Sequence, residues 1–287
     1  MRVALIGAAG QLGTDLQTAL ADEELIPLGH GDIELTSDES IANCLGQLEP
    51  QLVINCAAYN LVDRAEDEPQ VAHDVNALGP RRLAIWCAQR DVCLTHFSSD
   101  YVFGLDADRN KPYSETDAPG PQSAYAASKL QGEYFVRAIC PRHFVIRTCG
   151  LYGVAGARGA GKGNFIEAML RLGAERDELG VVNDQCCTPT STADLAVATA
   201  ELIRTDAFGL YHATNAGQMS WFELACEVFR QAQISVQVNP ITSAQFGAKA
   251  TRPAYSVLNC QRLHRVIGHA LPEWPDAVAR YLRSRQD

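Results

Sequence analysis

The chain alternates short apolar runs with amphipathic segments, which predicts strands and helices in turn. Residues 3–6 form an apolar run, and apolar residues then recur at every fourth position from Leu12 to Leu20, which is a helical spacing. Further apolar runs follow at residues 25–28 and 52–58. The latter is continuously apolar at its start, as expected of a parallel strand covered on both faces. The start of the chain therefore predicts a β-α-β series.

The rest of the chain continues this alternation. Ser191 with Asp194, and Ser220 with Glu223, have the spacing of capping boxes, which mark helix starts. The predicted elements are helices that begin near residues 37 and 125, helices over residues 164–176, 191–203, 220–229 and 272–283, and strands over residues 93–98 and 209–213. This order predicts an α/β fold with a doubly wound parallel sheet of the Rossmann type. Residues 1–150, with return segments around residues 177–215, would form the sheet domain, and residues 151–287 would mainly form a smaller C-terminal lobe.

The stretch between the first strand and the first helix is rich in glycine. Gly7, Gly10 and Gly13 follow a G-x-x-G-x-x-G pattern. In a dinucleotide-binding turn, one glycine allows the tight turn, a second lets the backbone approach the pyrophosphate, and a third lets the helix pack closely on the strand. Free N–H groups at the helix start then face the anion. An ordinary βα turn can carry the same letters, but the position as first βα turn of the chain favours a dinucleotide site.

Composition and charge exclude several classes of protein. The 287 residues are 47% hydrophobic and 20% charged, and no apolar run is long enough to span a bilayer. A formal charge of -10 argues against nonspecific binding to nucleic acid or to anionic membranes. The ten cysteines contain no C-x-x-C pattern, and several lie in apolar segments. We therefore expect reduced thiols, no metal site and a cytoplasmic protein.

The end of the predicted second strand bears on the choice of cofactor. In NAD-selective enzymes an acidic residue at this place holds the adenosine ribose hydroxyls. Gly29 and His30 stand there instead, which leaves NADPH, NADH or both as cofactors. Glu34 with Leu35 is a candidate lining for the adenine pocket. Small residues that end the third strand would let a cofactor pass closely, although any crowded βα junction favours them as well.

The second informative pattern is a tyrosine–lysine pair. Tyr125 and Lys129 are four residues apart in a helical segment, so they share one face at about 5–6 Å between Cβ atoms. A neighbouring ammonium favours the ionised phenol, so we expect it to lower the pKa of Tyr125. The Ser99 hydroxyl, at a strand end, could then hydrogen-bond a substrate oxygen while Tyr125 transfers a proton. Such pairs also arise by chance on exposed helices. The glycine turn, the strand-end hydroxyl and the tyrosine–lysine pair follow one another in one chain, and this order favours a catalytic role for the pair.

A further set of motifs runs nearly end to end along the chain. The set comprises residues 7–13, 99–103 and 125–129, Arg147-Thr148, Asp184-Gln185 with Thr188-Pro189-Thr190, and Arg252-Pro253 with Ser256 and Leu258-Asn259. Together these motifs resemble the dTDP-4-dehydrorhamnose reductases, which are extended short-chain dehydrogenase/reductases. The later motifs distinguish this group from the wider superfamily.

The resemblance implies an NAD(P)H-dependent oxidoreductase in which Ser99, Tyr125 and Lys129 are catalytic and the C-terminal lobe binds a sugar nucleotide. With the residues argued above, the implied cofactor contacts are Gly7, Gly10, Gln11, Leu12, Gly13, Glu34, Leu35, Ala57, Ala58, Tyr59, Ser98, Tyr125 and Lys129. The implied substrate contacts are Ser99, Asp100, Tyr101, Asn164, Asp184, Gln185, Thr190 and Arg252. Arg252 and residues 184–190 would hold the nucleotide diphosphate.

This chain departs from the family pattern at three positions. Ser99 stands where threonine is usual, which keeps the hydroxyl. Gly150 stands where a sugar-contacting tryptophan is usual, and Cys187 where glycine is usual. The missing aromatic wall leaves the identity of the sugar open.

The loop over residues 153–163 is long and rich in glycine. Residues 156–162 nearly spell a Walker A loop, but Gly163 occupies the Ser/Thr position that Mg²⁺ requires. We predict a mobile flap. Its Arg158 and Lys162 either reach the substrate diphosphate or are solvated charges.

The resemblance implies a specific reaction, the reduction of the C4 ketone of a dTDP-linked 6-deoxyhexulose, dTDP-4-dehydrorhamnose to dTDP-L-rhamnose, in polysaccharide biosynthesis. The expected partner is a small dTDP-sugar, and the sequence leaves a homodimer open. One alternative is another sugar-nucleotide epimerase or dehydratase that retains NAD. A second is a non-catalytic NADP-binding subunit like the regulatory subunit of methionine adenosyltransferase, against which the intact Ser99, Tyr125 and Lys129 argue.

Overall fold

The computed structural model describes residues 1–159 and 163–285. The strands are β1 (Arg2–Ile6), β2 (Glu24–Leu28), β3 (Leu52–Asn55), β4 (Cys93–Ser99), β5 (His143–Thr148), β6 (Glu178–Val182), β7 (Cys186–Cys187), β8 (Gly209–His212), β9 (Met219–Ser220) and β10 (Gln237–Ile241). The α-helices are α1 (Gln11–Ala19), α2 (Asp38–Leu48), α3 (Pro69–His73), α4 (Gly79–Ala88), α5 (Ala124–Ile139), α6 (Val154–Ala157), α7 (Phe165–Glu175), α8 (Thr192–Leu202), α9 (Trp221–Ala232), α10 (Ser243–Phe246), α11 (Gln261–Ile267) and α12 (Trp274–Ser284). The elements predicted from the sequence are present, with ends shifted by a few residues.

Six strands form a parallel sheet in the order β2-β1-β3-β4-β5-β8. The strand order reverses direction at β1, so the carboxyl ends of β1 and β3 open the crevice in which doubly wound sheets bind ligands. Strands β3 and β4 are buried along their whole length, because helices cover both faces of the sheet. The predicted Rossmann-type α/β fold is confirmed.

Two hydrophobic clusters hold these helices on the sheet. On one face, Leu16 of α1 and Leu195 of α8 pack against Leu5 and Ile54 of the strands. On the other face, helices α2, α4 and α5 contribute to a cluster around Val53. Right-handed crossovers place helices on both faces because the strand order reverses direction at β1. The sheet is therefore a rigid base for the loops at its carboxyl edge.

The C-terminal lobe is built around two small sheets. Strand β6 pairs with β10 in parallel, and β7 pairs with β9 in antiparallel fashion, while β8 returns to the edge of the main sheet. The Ser220–Glu223 capping box is present at the start of α9. The predicted Ser191–Asp194 box is wrong, because the Asp194 carboxylate instead pairs with Arg280 at 2.8 Å. The Asp194 side chain is thus bound to Arg280 of α12 and does not cap α8.

The cysteines and helices of the described residues bear on the expectations of reduced thiols and of no bilayer-spanning segment. All ten cysteines are free thiols, as expected. None of the helices in residues 1–159 and 163–285 combines the length and the apolar character that a bilayer crossing requires.

Candidate active site

The glycine turn lies at the start of α1, against the end of β3. Gly7 has a φ of +78°, and a Cβ there would lie 2.9 Å from the Ala57 nitrogen. A Cβ at Gly13 would lie 2.3 Å from the Gly7 carbonyl oxygen, so α1 can approach the turn only without a side chain. Gly10 is exposed at the N-cap, and the first N–H groups of the helix have no partner within it. This backbone fits a dinucleotide pyrophosphate. Leu12 is buried in the core and offers only its backbone.

Gln11 and Asn164 are bonded to each other rather than left open to ligands. The Gln11 Oε1 accepts hydrogen bonds from Asn164 Nδ2 at 2.9 Å and from the Gly153 nitrogen at 3.0 Å. Asn164 Oδ1 also caps α7 by accepting from the Glu167 nitrogen at 3.0 Å. These bonds form a seam between the glycine turn and residues 153 and 164, and the implied contacts of Gln11 with cofactor and of Asn164 with substrate stay predictions.

The first part of the 153–163 loop contributes to the same seam. Gly156 is buried, and a Cβ there would lie 2.3 Å from Gln11 Oε1. Residues 154–157 form the short helix α6, which Arg158 ends on the surface. Gly153 and Gly156 thus pack against Gln11 of the glycine turn, and the mobile flap stays a prediction. Lys162 lies outside the described residues.

A carboxylate reaches the end of β2 after all. The Leu28 carbonyl accepts a hydrogen bond from the Gly7 nitrogen at 2.9 Å, so the glycine turn lies beside this strand end. The Gly29 nitrogen donates to Asp32 Oδ2 at 2.8 Å, because the chain turns back on itself. The expectation that no carboxylate stands at this place is wrong. The Glu34 carboxylate accepts from the Thr36 nitrogen, and Leu35 is buried in the core.

The end of β3 runs past the glycine turn. Ala57 is partly covered by the turn, whereas Ala58 is exposed. Tyr59 is held through its backbone by Asn76, which accepts from its nitrogen and donates to its carbonyl, both at 2.9 Å. The Tyr59 phenol donates to Glu68 Oε2 at 2.9 Å. The backbone of residues 57–59 is thus the part that can line a cofactor.

Ser99 and Tyr125 converge at the carboxyl end of β4. Ser99 is the last residue of β4 and caps a short 3-10 turn by accepting from the Tyr101 nitrogen at 3.2 Å. Tyr125 lies in the first turn of α5, which Ser123 caps. The Ser99 side chain lies beside the Tyr125 phenol, and the rings of Tyr101 and Tyr125 meet edge to face at 6.1 Å between centroids. Ser99, Tyr101 and Tyr125, all predicted as site residues from the sequence, therefore lie close together.

Lys129 lies one helical turn below Tyr125 and is buried. Its Nζ donates to the Phe97 carbonyl at 2.6 Å. Burial lowers the pKa of Lys129 to about 8, and the neighbouring Glu133 opposes this shift. The ammonium is therefore fixed against the backbone of β4.

The pKa of Tyr125 moves in the direction opposite to the expected one. Burial of the phenol raises its pKa to about 12, and the nearby charge of Asp100 adds to the rise, while the hydrogen bond from Ser99 opposes it. The prediction that Lys129 lowers this pKa is wrong for this structure, because desolvation outweighs a charge that is bound to Phe97. Burial therefore favours the protonated form of Tyr125 in this structure.

Asn76 supports the catalytic helix and was missed by the sequence reasoning. It lies in a π-helical turn, Asp74–Leu78, and its Nδ2 donates to Ser128 Oγ at 3.0 Å. Ser128 Oγ in turn donates to the Tyr125 carbonyl at 2.7 Å. A Cβ at Gly132 would lie 2.2 Å from the Asn76 carbonyl oxygen, so glycine lets α5 approach this turn. An asparagine inside an apolar helical segment, shortly before a Gly-Pro pair, was the available signal.

Ser98 belongs to a buried network beneath the site. Its hydroxyl donates to Glu133 Oε1 at 2.5 Å, and Glu133 forms a bidentate ion pair with Arg147 at 2.6 and 2.8 Å. Arg147 also contacts His212, whose pKa burial lowers to about 3. The Ser98 hydroxyl therefore stabilises this network, and the implied cofactor contact of Ser98 stays a prediction.

The polar residues of the 184–190 segment are bonded within the lobe. The exposed Asp184 accepts from the nitrogen and the hydroxyl of Ser243 at the start of α10. Gln185 Nε2 donates to the Ser243 hydroxyl at 2.8 Å. Thr190 is fully buried and donates to the Thr188 carbonyl at 2.9 Å. These bonds hold the segment in place, and the implied substrate contacts at these positions stay predictions.

Arg252 does approach the catalytic residues, but with a partner. Its guanidinium pairs with both oxygens of Asp63, at 2.9 and 3.0 Å. It also hydrogen-bonds the Tyr101 phenol, and these partners raise the pKa of Arg252 against the effect of burial. Among the implied substrate residues of the C-terminal lobe, Arg252 is thus the one that lies beside Tyr101 at the site.

Two of the departures from the family pattern lie together. Gly150 has a φ of +47°, and a Cβ there would lie 3.0 Å from the Trp221 ring and 3.2 Å from Pro189. The adjacent Cys149 is buried and hydrogen-bonded to Cys187. Trp221 thus occupies the space beside Gly150.

The parallel sheet, the glycine turn at its first crossover, and the serine, tyrosine and lysine on β4 and α5 define the class: an oxidoreductase of the extended short-chain dehydrogenase/reductase type.

Comparison with known proteins supports this class. The model of the RmlD substrate binding domain family matches residues 1–286. A dTDP-4-dehydrorhamnose reductase of Sinorhizobium fredii is 36% identical over 98% of this chain and 96% of the relative. The crystal structure of such a reductase from Clostridium acetobutylicum is 37% identical, with a TM-score of 0.94 and full coverage of both chains. One from Bacillus anthracis, in complex with NADP, is 37% identical with a TM-score of 0.92 and covers 99% of each chain. The chain belongs to the dTDP-4-dehydrorhamnose reductase family.

Proposed function

We propose that this protein reduces the C4 ketone of a dTDP-linked 6-deoxyhexulose, converting dTDP-4-dehydrorhamnose to dTDP-L-rhamnose. The names of the relatives support the substrate, and the NADP in the Bacillus anthracis structure supports the cofactor. The observation that carries the proposal is that the Tyr125 phenol lies beside Ser99 at the end of β4, with Lys129 one helical turn away.

Each residue of the site has a distinct part in this reduction. A bound NADPH or NADH supplies the hydride. Tyr125 donates its phenolic proton to the ketone oxygen as negative charge develops there, and Ser99 hydrogen-bonds the same oxygen and fixes its position. Lys129, fixed against β4 on the same helix face as Tyr125, keeps a positive charge near the phenolate that remains. Both proton and charge are thus supplied by this chain.

The binding assignments follow from the geometry. We propose that the glycine turn holds the cofactor pyrophosphate, that residues 57–59 line its path, and that Lys129 contacts the nicotinamide ribose. Arg252, beside Tyr101, would hold the diphosphate of the dTDP-sugar. Ten free thiols suit a reducing compartment, which supports a cytoplasmic location.

The direct test is the oxidation of NADPH and of NADH with dTDP-6-deoxy-L-lyxo-4-hexulose as substrate, with identification of the product. We expect one equivalent of dTDP-L-rhamnose for each cofactor oxidised, and a turnover about 10²- to 10⁴-fold lower with Tyr125→Phe. Folded wild-type protein that fails to turn over the substrate would overturn the proposal. Protein that purifies with bound NAD and shows no net consumption would indicate an epimerase or dehydratase.

A further inference from the structure

Asp100 adjoins the catalytic Ser99 but is closed off from the cleft. Its side chain is 1% exposed, so it is not placed to contact a sugar as the family resemblance implies. Its Oδ1 accepts from the Ser99 hydroxyl at 3.2 Å, and its Oδ2 accepts from the Ser256 hydroxyl of the C-terminal lobe at 2.6 Å. Asp100 can therefore act on the reaction through its hydrogen bond with Ser99 and through its charge near Tyr125.

The hydrogen bonds of Ser99 leave no free proton while Asp100 is ionised. A serine hydroxyl has one proton and two acceptor positions. The Tyr101 nitrogen donates to Ser99 Oγ and fills one acceptor position, and the Ser99 proton goes to Asp100. In this state Ser99 can hydrogen-bond a ketone oxygen only by breaking its bond to a buried carboxylate.

We propose that Asp100 is a positioning residue whose protonation turns the Ser99 hydroxyl from Asp100 toward the substrate ketone. This inference rests on the proposed function. When the carboxyl takes a proton from solvent, its O–H donates to Ser99 Oγ and the Ser99 proton is freed for the ketone oxygen. Both acceptor positions of Ser99 are then filled, so the Tyr125 proton is directed to the substrate as well. The proton consumed in the reduction still comes from Tyr125.

The surroundings of Asp100 allow this change near neutral pH. Burial raises its pKa to about 6, and the hydrogen bonds from Ser256, Cys149 and Ser99 oppose the rise. The titratable groups that face it are Tyr125 on α5, Cys149 after β5 with Cys187 of β7 behind it, and Tyr101, which Arg252 contacts. Both protonation states are thus populated within the working range of an enzyme.

The test is the pH profile of kcat for ketone reduction by the wild-type enzyme and Asp100→Asn. In the wild type we expect kcat to be highest below about pH 6 and to fall above it, to a level about fivefold to a hundredfold lower set by the ionised form. The amide of Asp100→Asn accepts from Ser256 and donates to Ser99 at every pH. Its profile should lack this step and exceed the wild type at about pH 8, with an unchanged KM. An unaltered step, or a raised KM with unchanged kcat, would overturn the inference.

A second variant covers the case in which Asp100→Asn fails to fold. Ser256→Ala removes a donor to the ionised carboxylate, so the step should move to higher pH by about one unit. Ser284→Ala, an exposed serine on α12, is the matched control and should leave the step in place. A step that stays fixed in Ser256→Ala would contradict the inference.

A titration of the Asp100 carboxyl by carbon-13 NMR separates this inference from the proposed function. We expect the carboxyl to titrate near pH 6 and to shift upward in Ser256→Ala even without substrate. If the wild-type enzyme does not turn over the sugar, the proposed function is rejected. The titration then still shows whether Ser256 shifts the pKa of Asp100. If turnover occurs with an ordinary aspartate titration, the inference alone fails.

Discussion

The end of β4 and the 184–190 segment of the C-terminal lobe carry similar polar residues, yet they use them differently. At the end of β4, the side chains of Ser99 and Tyr125 lie together at the carboxyl edge of the sheet, and burial raises the pKa of Tyr125. In the lobe, Asp184, Gln185 and Thr190 satisfy their polar atoms with Ser243 and with a backbone carbonyl.

This difference shows what a functional polar group requires. A hydroxyl or carboxylate whose partners all lie within the protein stabilises the fold, because leaving such a group without a partner costs about 1–3 kcal/mol. A group that can exchange an internal partner for a ligand can act on that ligand. Ser99 and Tyr125 meet this condition, and the network around Ser98 one residue earlier does not.

Replacement of the proton donor should produce the largest effect. Tyr125→Phe removes the phenolic proton and should lower kcat by about 10²- to 10⁴-fold, while the cofactor Kd and the melting temperature stay near those of the wild type. Steady-state kinetics with the dTDP-sugar measure this change. Tyr134→Phe, at an exposed position of the same helix, is the control and should retain wild-type kcat. If the Tyr125→Phe enzyme reduced the ketone as fast as the wild type, the end of β4 would not be the catalytic region.

Beneath the site, the buried ion pair should affect stability strongly. Glu133→Gln leaves the Arg147 guanidinium without its counter-charge and should lower the free energy of unfolding by about 3–5 kcal/mol. Urea denaturation measures the loss. The exposed pair of Arg171 with Glu175 is the comparison, and Glu175→Gln should cost at most about 1 kcal/mol. Equal losses in the two variants would contradict a structural network below β4.

The lobe side of the comparison is tested at Asp184. Asp184→Ala removes the acceptor for the Ser243 nitrogen and hydroxyl and should lower the free energy of unfolding by about 0.5–2 kcal/mol. The KM for the dTDP-sugar should not change, because the carboxylate is bonded within the lobe. Asp22→Ala, at an exposed turn, serves as the control. A large rise in KM with unchanged stability would show instead that Asp184 reaches the substrate.

The smallest expected effect concerns the choice of cofactor. Asp32 brings negative charge to the end of β2, where the extra phosphate of NADPH would lie. Asp32→Asn should therefore increase the affinity for NADPH relative to NADH by about fivefold. Equilibrium fluorescence titrations with the two cofactors give this ratio. A ratio that does not change would place Asp32 outside the ribose site.

Much of the fold could be read from the order of residues alone. Strand and helix periods are local properties, so the β-α-β series, the glycine turn and the start of α2 at Ser37 follow from neighbouring residues. The Ser220–Glu223 capping box was predictable for the same reason, since both partners lie within one turn. The Ser191–Asp194 box was not, because Arg280 competes for Asp194 from another helix.

The sequence by itself thus determined the Rossmann-type sheet and the candidate set of Ser99, Tyr125 and Lys129. Only the tertiary structure decided which polar atoms are free, as with Gln11 and Asn164, which are bonded across the seam. It also decided that the pKa of Tyr125 rises. The physical reason is that hydrogen-bond partners and loss of solvent depend on atoms far apart in the chain, whereas periodicity depends on neighbours.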